Sequence, residues 1–326
     1  MWADRKSKKK SRKGGWLLAA LVVVVVVIAG GVAVFNIFRP PGPVPPPIPG
    51  PPQPTPSTQP ASCPDVQVVA VPGTWESSPT DDPHNPTFNP NALLLNVTRP
   101  LQNEFASSRA DVVTVPYAAQ FAHFGAPPQE TYDQSRAQGT QATEDMIASM
   151  AKGCPLTHYV LMGFSQGAVI AGDVAAKIGA GQGPVAADRV LGVGLVADGR
   201  REMSDAAVNL GIQSGVGAEV VLRGLHDVPG VPGATMTGPR PGGLGSLTSK
   251  TVQICAPGDL ICAAPPNSFT LFGAPGALVQ LAAASQNPVH AKYNSFVVDS
   301  EGQTATKYLT GWASGLVNGA PTPAHG

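Results

Sequence analysis

The stretch Tyr159-Val160-Leu161-Met162-Gly163-Phe164-Ser165-Gln166-Gly167-Ala168-Val169 decides how the rest of the chain is read. Tyr159–Met162 is a short apolar run led by β-favouring residues, the pattern of a buried central strand. Gln166–Lys177 is rich in Ala and Val, contains no proline, and reads as a helix packed on that strand. A G-x-S-x-G motif between a strand and a helix is the setting of a nucleophile elbow. At such a turn the backbone passes close to the neighbouring helix and strand, so the positions two before and two after the serine must be small. Gly163 and Gly167 meet that demand. Ser165 then projects from the turn, and the backbone N–H of Gln166, at a helix start, points where an oxyanion would form.

Outward from the elbow, apolar β-rich runs alternate with helical patterns. The runs are Val66–Val71, Asp111–Val115, Tyr159–Met162, Val190–Val196 and Thr251–Cys255; Ala92–Phe105, Tyr132–Lys152, Gln166–Lys177 and a closing Thr304–Val317 read as helices. This alternation predicts an α/β fold, a central parallel sheet covered by helices on both faces.

The formal net charge of zero hides an asymmetry. Seven of the 21 Lys and Arg lie between Arg5 and Lys13 and an eighth is Arg39, which leaves residues 61–326 with 13 basic against 20 acidic groups. A folded part of that sign argues against nucleic acid as a partner. The basic head, residues 1–15, precedes an apolar run, 16–38, interrupted only by Asn36. As a helix this run spans roughly 34 Å, enough to cross a hydrocarbon core of about 30 Å. It is longer than a secretory signal and no A-x-A-like site follows it, so the sequence predicts one uncleaved transmembrane signal-anchor with the rest of the chain outside. Residues 39–62 form a Pro-rich linker, with 12 prolines between Pro40 and Pro60, expected to extend as a polyproline II spacer. The catalytic-type domain is expected over 63–318, with a disordered tail at 319–326.

A serine hydroxyl needs a histidine base, and the base needs a carboxylate to fix its tautomer. On an α/β sheet with this elbow the chain order is serine, acid, histidine. His84, His123 and His158 precede Ser165, His226 precedes most plausible acids, and His325 lies in the Pro/Gly tail, which leaves His290. Asp259 directly follows the apolar run Thr251–Cys255 and stands between Cys255 and Cys262; Asp198 and Asp227 are its rivals. Asp198, beside Gly199-Arg200-Arg201, reads as a solvated turn. The four cysteines, Cys63, Cys154, Cys255 and Cys262, all lie in the exported portion and predict two disulfides, with three connectivities open. No zinc spacing or other metal or cofactor signature is present.

Three blocks resemble the signatures of the cutinase family: Gly163-Phe164-Ser165-Gln166-Gly167, Cys255-Ala256-Pro257-Gly258-Asp259-Leu260-Ile261-Cys262, and His290-Ala291-Lys292-Tyr293. The likeness spans about residues 63–318 and is nearest to the cutinase-like lipases of mycobacteria and their relatives, membrane-anchored forms included. The resemblance implies an α/β-hydrolase three-layer sandwich, Ser165 as nucleophile with Asp259 and His290 as partners, and disulfides Cys63–Cys154 and Cys255–Cys262. It also implies that Thr74, in Gly73-Thr74-Trp75-Glu76, joins the Gln166 N–H in the oxyanion hole. The chain departs from the family in having Pro72 before that glycine, and 31 positions between Asp259 and His290. The intervening 267–287 carries Phe269, Leu271, Phe272, Leu278, Val279 and Leu281, and reads as a substrate-facing flap, with a core-filling insertion as the alternative. A second expansion, 216–250, is rich in Gly and Pro.

These observations together predict a monomeric, membrane-anchored, extracytoplasmic serine esterase of the cell envelope acting on lipid acyl esters or thioesters, with no cofactor. The alternatives are acyl transfer to a carbohydrate, or a catalytically silent lipid-binding scaffold on the same fold.

Overall fold

The computed structural model describes residues 56–123, 125–227, 231–265 and 288–326. The basic head, the apolar run 16–38, residues 39–55 of the Pro-rich linker and the segment 267–287 lie outside the described residues. Among the described residues no helix is long and apolar enough to cross a membrane.

In chain order the elements are β1 (Thr58–Gln59), β2 (Val66–Val71), α1 (Leu95–Glu104), β3 (Ala110–Thr114), α2 (Tyr132–Gly153), β4 (His158–Phe164), α3 (Gln166–Gly179), β5 (Val190–Val196), β6 (Val208–Gly211), α4 (Ala218–Val221), β7 (Thr251–Cys255), α5 (Ala305–Gly319) and β8 (Ala324–His325). Six strands make one sheet in the order β3-β2-β4-β5-β7-β6, and every pairing in it is parallel.

Residue alternation along the strands decides which side chain meets which helix layer. On β2, Val66, Val68 and Ala70 face a core completed by Leu94, Val97 and Leu101 near and on α1 and by Leu309, Ala313 and Val317 of α5. Val69 and Val71 face the other way, onto Ile147 of α2 and Ile170, Val174 and Ile178 of α3. The same division separates Val160 and Met162 from Tyr159 and Leu161 on β4. Both faces of the sheet are therefore dry, and the architecture is the three-layer sandwich expected of an α/β-hydrolase. Helix α2 begins where Thr131 accepts from Gln134 N while the Gln134 side chain accepts from Thr131 N, a capping box.

The chain runs outward from β2 to β3 and then returns to β4 on the opposite side of β2. That reversal opens a crevice above the carboxyl ends of β2 and β4, the place where open parallel sheets bind ligands.

Three expectations are corrected. Residues 319–326 are ordered at their end: β8 pairs in parallel with β1, matching Thr58 to Ala324 and Gln59 to His325. Order thus begins before Cys63. The cause is polar. Arg109 holds Asp65 at 2.7 Å and donates to the carbonyl of Ala320 at 2.9 Å and to that of Val317 in the last turn of α5, and His325 Nε2 lies 3.0 Å from the other Asp65 oxygen. A cation on the free carbonyls of a helix C-terminus is a favourable cap.

Asp198 is not a solvated turn but is 1% exposed. Its carboxylate receives both terminal nitrogens of Arg240 at 2.7 and 3.1 Å. Arg240 also reaches Asp173 of α3 at 2.9 Å, and Arg200 reaches the same carboxylate at 2.7 Å. Arg136 of α2 joins Asp173 to Glu219. This buried network fastens the 216–250 expansion onto the elbow helix. An edge strand was also missed: β6, Val208-Asn209-Leu210-Gly211, is short and only half buried, and gives no apolar run to read.

Burial pushes the Asp173 carboxyl up, but the guanidinium groups of Arg240, Arg136 and Arg200 outweigh it and hold its pKa below the free value of 3.8. Stability from this group is therefore present above about pH 4 and is lost as pH falls through the depressed pKa. Asp173→Asn, which removes the carboxylate that three arginines share and leaves Arg200 without an acidic partner among the described residues, should lower stability at pH 7 by about 3–5 kcal/mol, and the variant's stability should fall less between pH 4 and 2 than that of the parent. Urea denaturation across that range is the check; a variant as stable as the parent at pH 7 would contradict the network's role.

Candidate active site

Three loops at the carboxyl ends of β2, β4 and β7 carry the site. At the end of β4 the chain turns sharply, and Ser165 takes φ 54° and ψ −120°, a region a side chain rarely occupies. The turn is held by Ser165 N–H donating to the Val196 carbonyl at 2.9 Å and by close backbone approach. A Cβ on Gly163 would collide with the backbone of Gly167 and Ala168, and one on Gly167 would collide with the carbonyls of Val71 and Pro72. Both glycines are required by contact, as the motif spacing implied.

Ser165 Oγ lies 2.8 Å from His290 Nε2, and His290 Nδ1 lies 2.8 Å from Asp259 Oδ2. An ionised carboxylate only accepts, so Nδ1 carries the proton and Nε2 is left to accept from the serine hydroxyl. The imidazole stacks on Phe164, with ring centroids 5.2 Å apart and planes 27° from parallel. Its side chain is 16% exposed while that of Asp259 is 0% exposed. The acid is therefore sealed and the base opens toward solvent.

Asp259 is fixed on several sides. It sits in the loop closed by the Cys255–Cys262 disulfide. Its Oδ1 accepts from Ile261 N at 3.0 Å, and its Oδ2 accepts from the Tyr293 hydroxyl at 2.7 Å. Tyr293 is fully buried, and its oxygen accepts from Ala256 N at 3.0 Å, which orients its own proton onto the aspartate. The second disulfide, Cys63–Cys154, ties the entry to β2 to the end of α2. Both bridges are those the resemblance implied.

Gln166 is buried and occupies the first position of α3. Its side chain is engaged elsewhere: Oε1 accepts from Ser135 Oγ at 3.1 Å and Nε2 donates to the Gln120 carbonyl at 3.1 Å. These bonds anchor the start of α3, and the Gln166 backbone N–H stands at the positive end of that helix. Thr74 lies in the turn that follows β2, beside the Val71 and Pro72 carbonyls that abut Gly167. The Pro72 carbonyl accepts from the Tyr117 hydroxyl at 2.6 Å, which pins this segment. The two proposed oxyanion contributors thus come from adjacent strands.

The rivals of Asp259 are elsewhere: Asp198 is consumed by Arg240, and Asp227, at φ 47°, accepts from Gly233 N in an exposed loop. Two residues near the site went unassigned in the sequence, Tyr293 and Glu76. Both lie inside motifs that were quoted, but only the folded chain shows which atoms they face. Among the described residues no cluster of three or more His, Cys, Asp or Glu could hold a metal ion.

A parallel sheet with a strained serine elbow after one strand, an acid after a later one and a histidine further on defines the protein as an α/β-hydrolase of cutinase type. Residues 62–274 match the family described as Cutinase, and the chain belongs to that family. It is 44% identical over 265 residues to a protein of Corynebacterium glutamicum named carboxylesterase Culp6 homolog, over 81% of this chain and 84% of the relative. Among solved structures, an acetylxylan esterase is similar with a TM-score of 0.49 at 17% identity, over 78% of this chain and 100% of that one. A cutinase-like protein from Cryptococcus sp. is similar with a TM-score of 0.44 at 20% identity, over 81% and 100% of the two chains.

The Cys255–Cys262 bridge closes a loop of seven positions, so its entropic contribution is only about 2–3 kcal/mol, whereas misplacing Asp259 by about 1 Å can cost about 100-fold in rate. The double Cys→Ser variant should therefore remain folded while losing about 10- to 100-fold in kcat. Steady-state kinetics beside a thermal melt is the check; unchanged kcat with a lowered melting temperature would make the bridge purely structural.

Proposed function

We propose that the chain is a membrane-anchored, extracytoplasmic serine esterase that cleaves lipid acyl esters through an acyl-enzyme at Ser165. The observation that carries the reading is the continuous hydrogen-bonded chain from Ser165 through His290 to Asp259. Ser165 Oγ attacks the ester carbonyl as His290 Nε2 takes its proton. The carbonyl oxygen gains negative charge and is met by the Gln166 N–H together with Thr74. The imidazolium, steadied by Asp259, then protonates the leaving alcohol. Water, activated by the same imidazole, attacks the acyl-enzyme and restores the serine. The relative's name, carboxylesterase, agrees with this chemistry.

Lipid as the substrate class is supported by the apolar composition of 267–287, which separates Asp259 from His290 in sequence, and by the apolar N-terminal run. Phospholipids and acyl thioesters fit the same mechanism, since only the leaving group differs. Acyl transfer to a sugar hydroxyl in place of water is the same first half-reaction with another acceptor. A silent scaffold is the less favoured reading, because nothing in a scaffold calls for the strained Ser165 aligned on His290. Export is supported by two disulfides, which persist only in oxidising surroundings, and anchoring by the run 16–38 behind its basic head.

Ser165→Ala and His290→Ala should each remove activity on p-nitrophenyl esters by about 10⁴-fold or more, with no further loss in the double variant, because the three residues act as a unit. An acyl-chain panel run beside the Ser165→Ala control reads the substrate class: turnover rising from acetyl to longer chains supports a lipid esterase, and a preference confined to acetyl esters would overturn it. Deletion of residues 1–38 behind a cleavable secretion signal should move the protein from the membrane fraction to the medium with kcat retained. Recovery of the undeleted parent protein from the medium with residues 1–38 removed would mean that the segment is cleaved and does not anchor.

A further inference from the structure

Beside the triad lies a second carboxylate that the acyl-enzyme mechanism leaves without a part. Glu76 stands two residues after Thr74, and both of its oxygens are occupied by backbone donors. Oε2 accepts from Gly73 N at 2.9 Å and Oε1 accepts from Leu93 N at 2.8 Å. Glu76 N in turn donates to the Gly73 carbonyl at 3.1 Å. The residue therefore closes the Gly73–Glu76 turn twice, once through its backbone and once through its side chain. The Leu93 bond ties that turn to the segment entering α1, where Leu93 is buried in the core.

The turn so held is under strain. Trp75, between Thr74 and Glu76, takes φ 61° and is 47% exposed. Such a conformation persists only where neighbours over-determine it, and here the Trp75 N–H bond to the Ala119 carbonyl at 2.5 Å and the two Glu76 bonds do so. Gly73 lies against the Phe164 ring, since a Cβ there would meet that ring at 2.8 Å, and the same ring stacks on His290. Burial is the largest influence on the Glu76 carboxyl and holds its pKa above the free value, although the Leu93 and Gly73 N–H groups and the charge of His290 draw it down in part.

We propose that Glu76 is a positioning residue of the ester-cleaving site: by accepting the Gly73 and Leu93 N–H groups it fixes the strained turn that presents Thr74 to the oxyanion beside the Gln166 N–H. This rests on the reading of Ser165 as the nucleophile. Glu76 touches no reacting atom; it acts through the turn. Only a carboxylate satisfies both donors, because a carboxamide sets an NH₂ group against one of the two N–H groups. The consequence is specific to the tetrahedral state, where the oxygen bears charge, and small for ground-state binding.

The test compares the full chain in detergent with its Glu76→Gln and Glu76→Asp variants on a soluble short-chain p-nitrophenyl ester. It adds titration with an alkylboronic acid, which forms a tetrahedral anionic adduct on an active serine, and a thermal melt. Glu76→Gln should lower kcat about 10- to 100-fold with KM within threefold, and weaken boronic acid binding by a similar factor. Glu76→Asp, which keeps both acceptors on a shorter arm, should recover part of the loss, and it supplies the same comparison if the glutamine variant does not fold. Retention of kcat and boronic acid affinity within threefold in a folded variant would overturn the assignment, whatever the melting temperature. Should the parent itself neither cleave the ester nor bind the boronic acid, the esterase reading fails first and this inference with it.

Discussion

The close backbone contact at the β4–α3 turn is the constraint on which the site depends. Gly163 and Gly167 let the chain double back so tightly that any side chain at either position would strike backbone. Ser165 is then left in a conformation that its own preferences disfavour, at φ 54°. The strain is offset by what surrounds it. The Val196 carbonyl holds the serine N–H, β4 lies between β2 and β5 with both faces buried, and α3 is fastened beneath by Gln166 to Ser135 and by Asp173 to three arginines. A stable scaffold can sustain a costly local conformation of this kind, and such conformations cluster where chemistry is done.

The acid and base are positioned by different means. Asp259 is immobilised locally, by a seven-position disulfide loop, an N–H donor two residues on and the Tyr293 hydroxyl. His290 is positioned by contact across the fold, stacked on Phe164, which belongs to the elbow strand. Because Phe164 also lies against Gly73, one aromatic ring touches both His290 and the turn proposed to face the oxyanion. Displacement of that ring would disturb proton transfer and charge stabilisation together.

How much of this was legible in the sequence depended on the range of the interaction. Buried parallel strands such as Val66–Val71 and Val190–Val196 announce themselves as continuous apolar runs because both their faces are dry, and their bounds match those read from the chain. The glycines of the elbow were legible because the constraint is local. Asp259 could be preferred over Asp198 from its place after a strand and between two cysteines. The environment of Asp198 could not be read, because Arg240, which neutralises it, is 42 positions away, and a charged residue beside two arginines looks solvated when only its neighbours are seen. The ordering of Ala324–His325 was hidden for the same reason: Asp65 and Arg109, which secure the tail, lie more than 200 positions away in sequence. Glu76 and Tyr293 were visible as letters in the quoted motifs, but their roles come from backbone donors that sequence does not reveal.

The central claim is that Ser165 is an activated nucleophile and not a serine in a structural turn. Its most direct test is the reaction of the full chain with a fluorophosphonate probe, followed by peptide mapping and intact mass. The account predicts one equivalent of label on the peptide containing Ser165, lost in His290→Ala while that variant remains folded. Absence of labelling in the folded parent protein, or labelling that persists unchanged in Ser165→Ala, would contradict it.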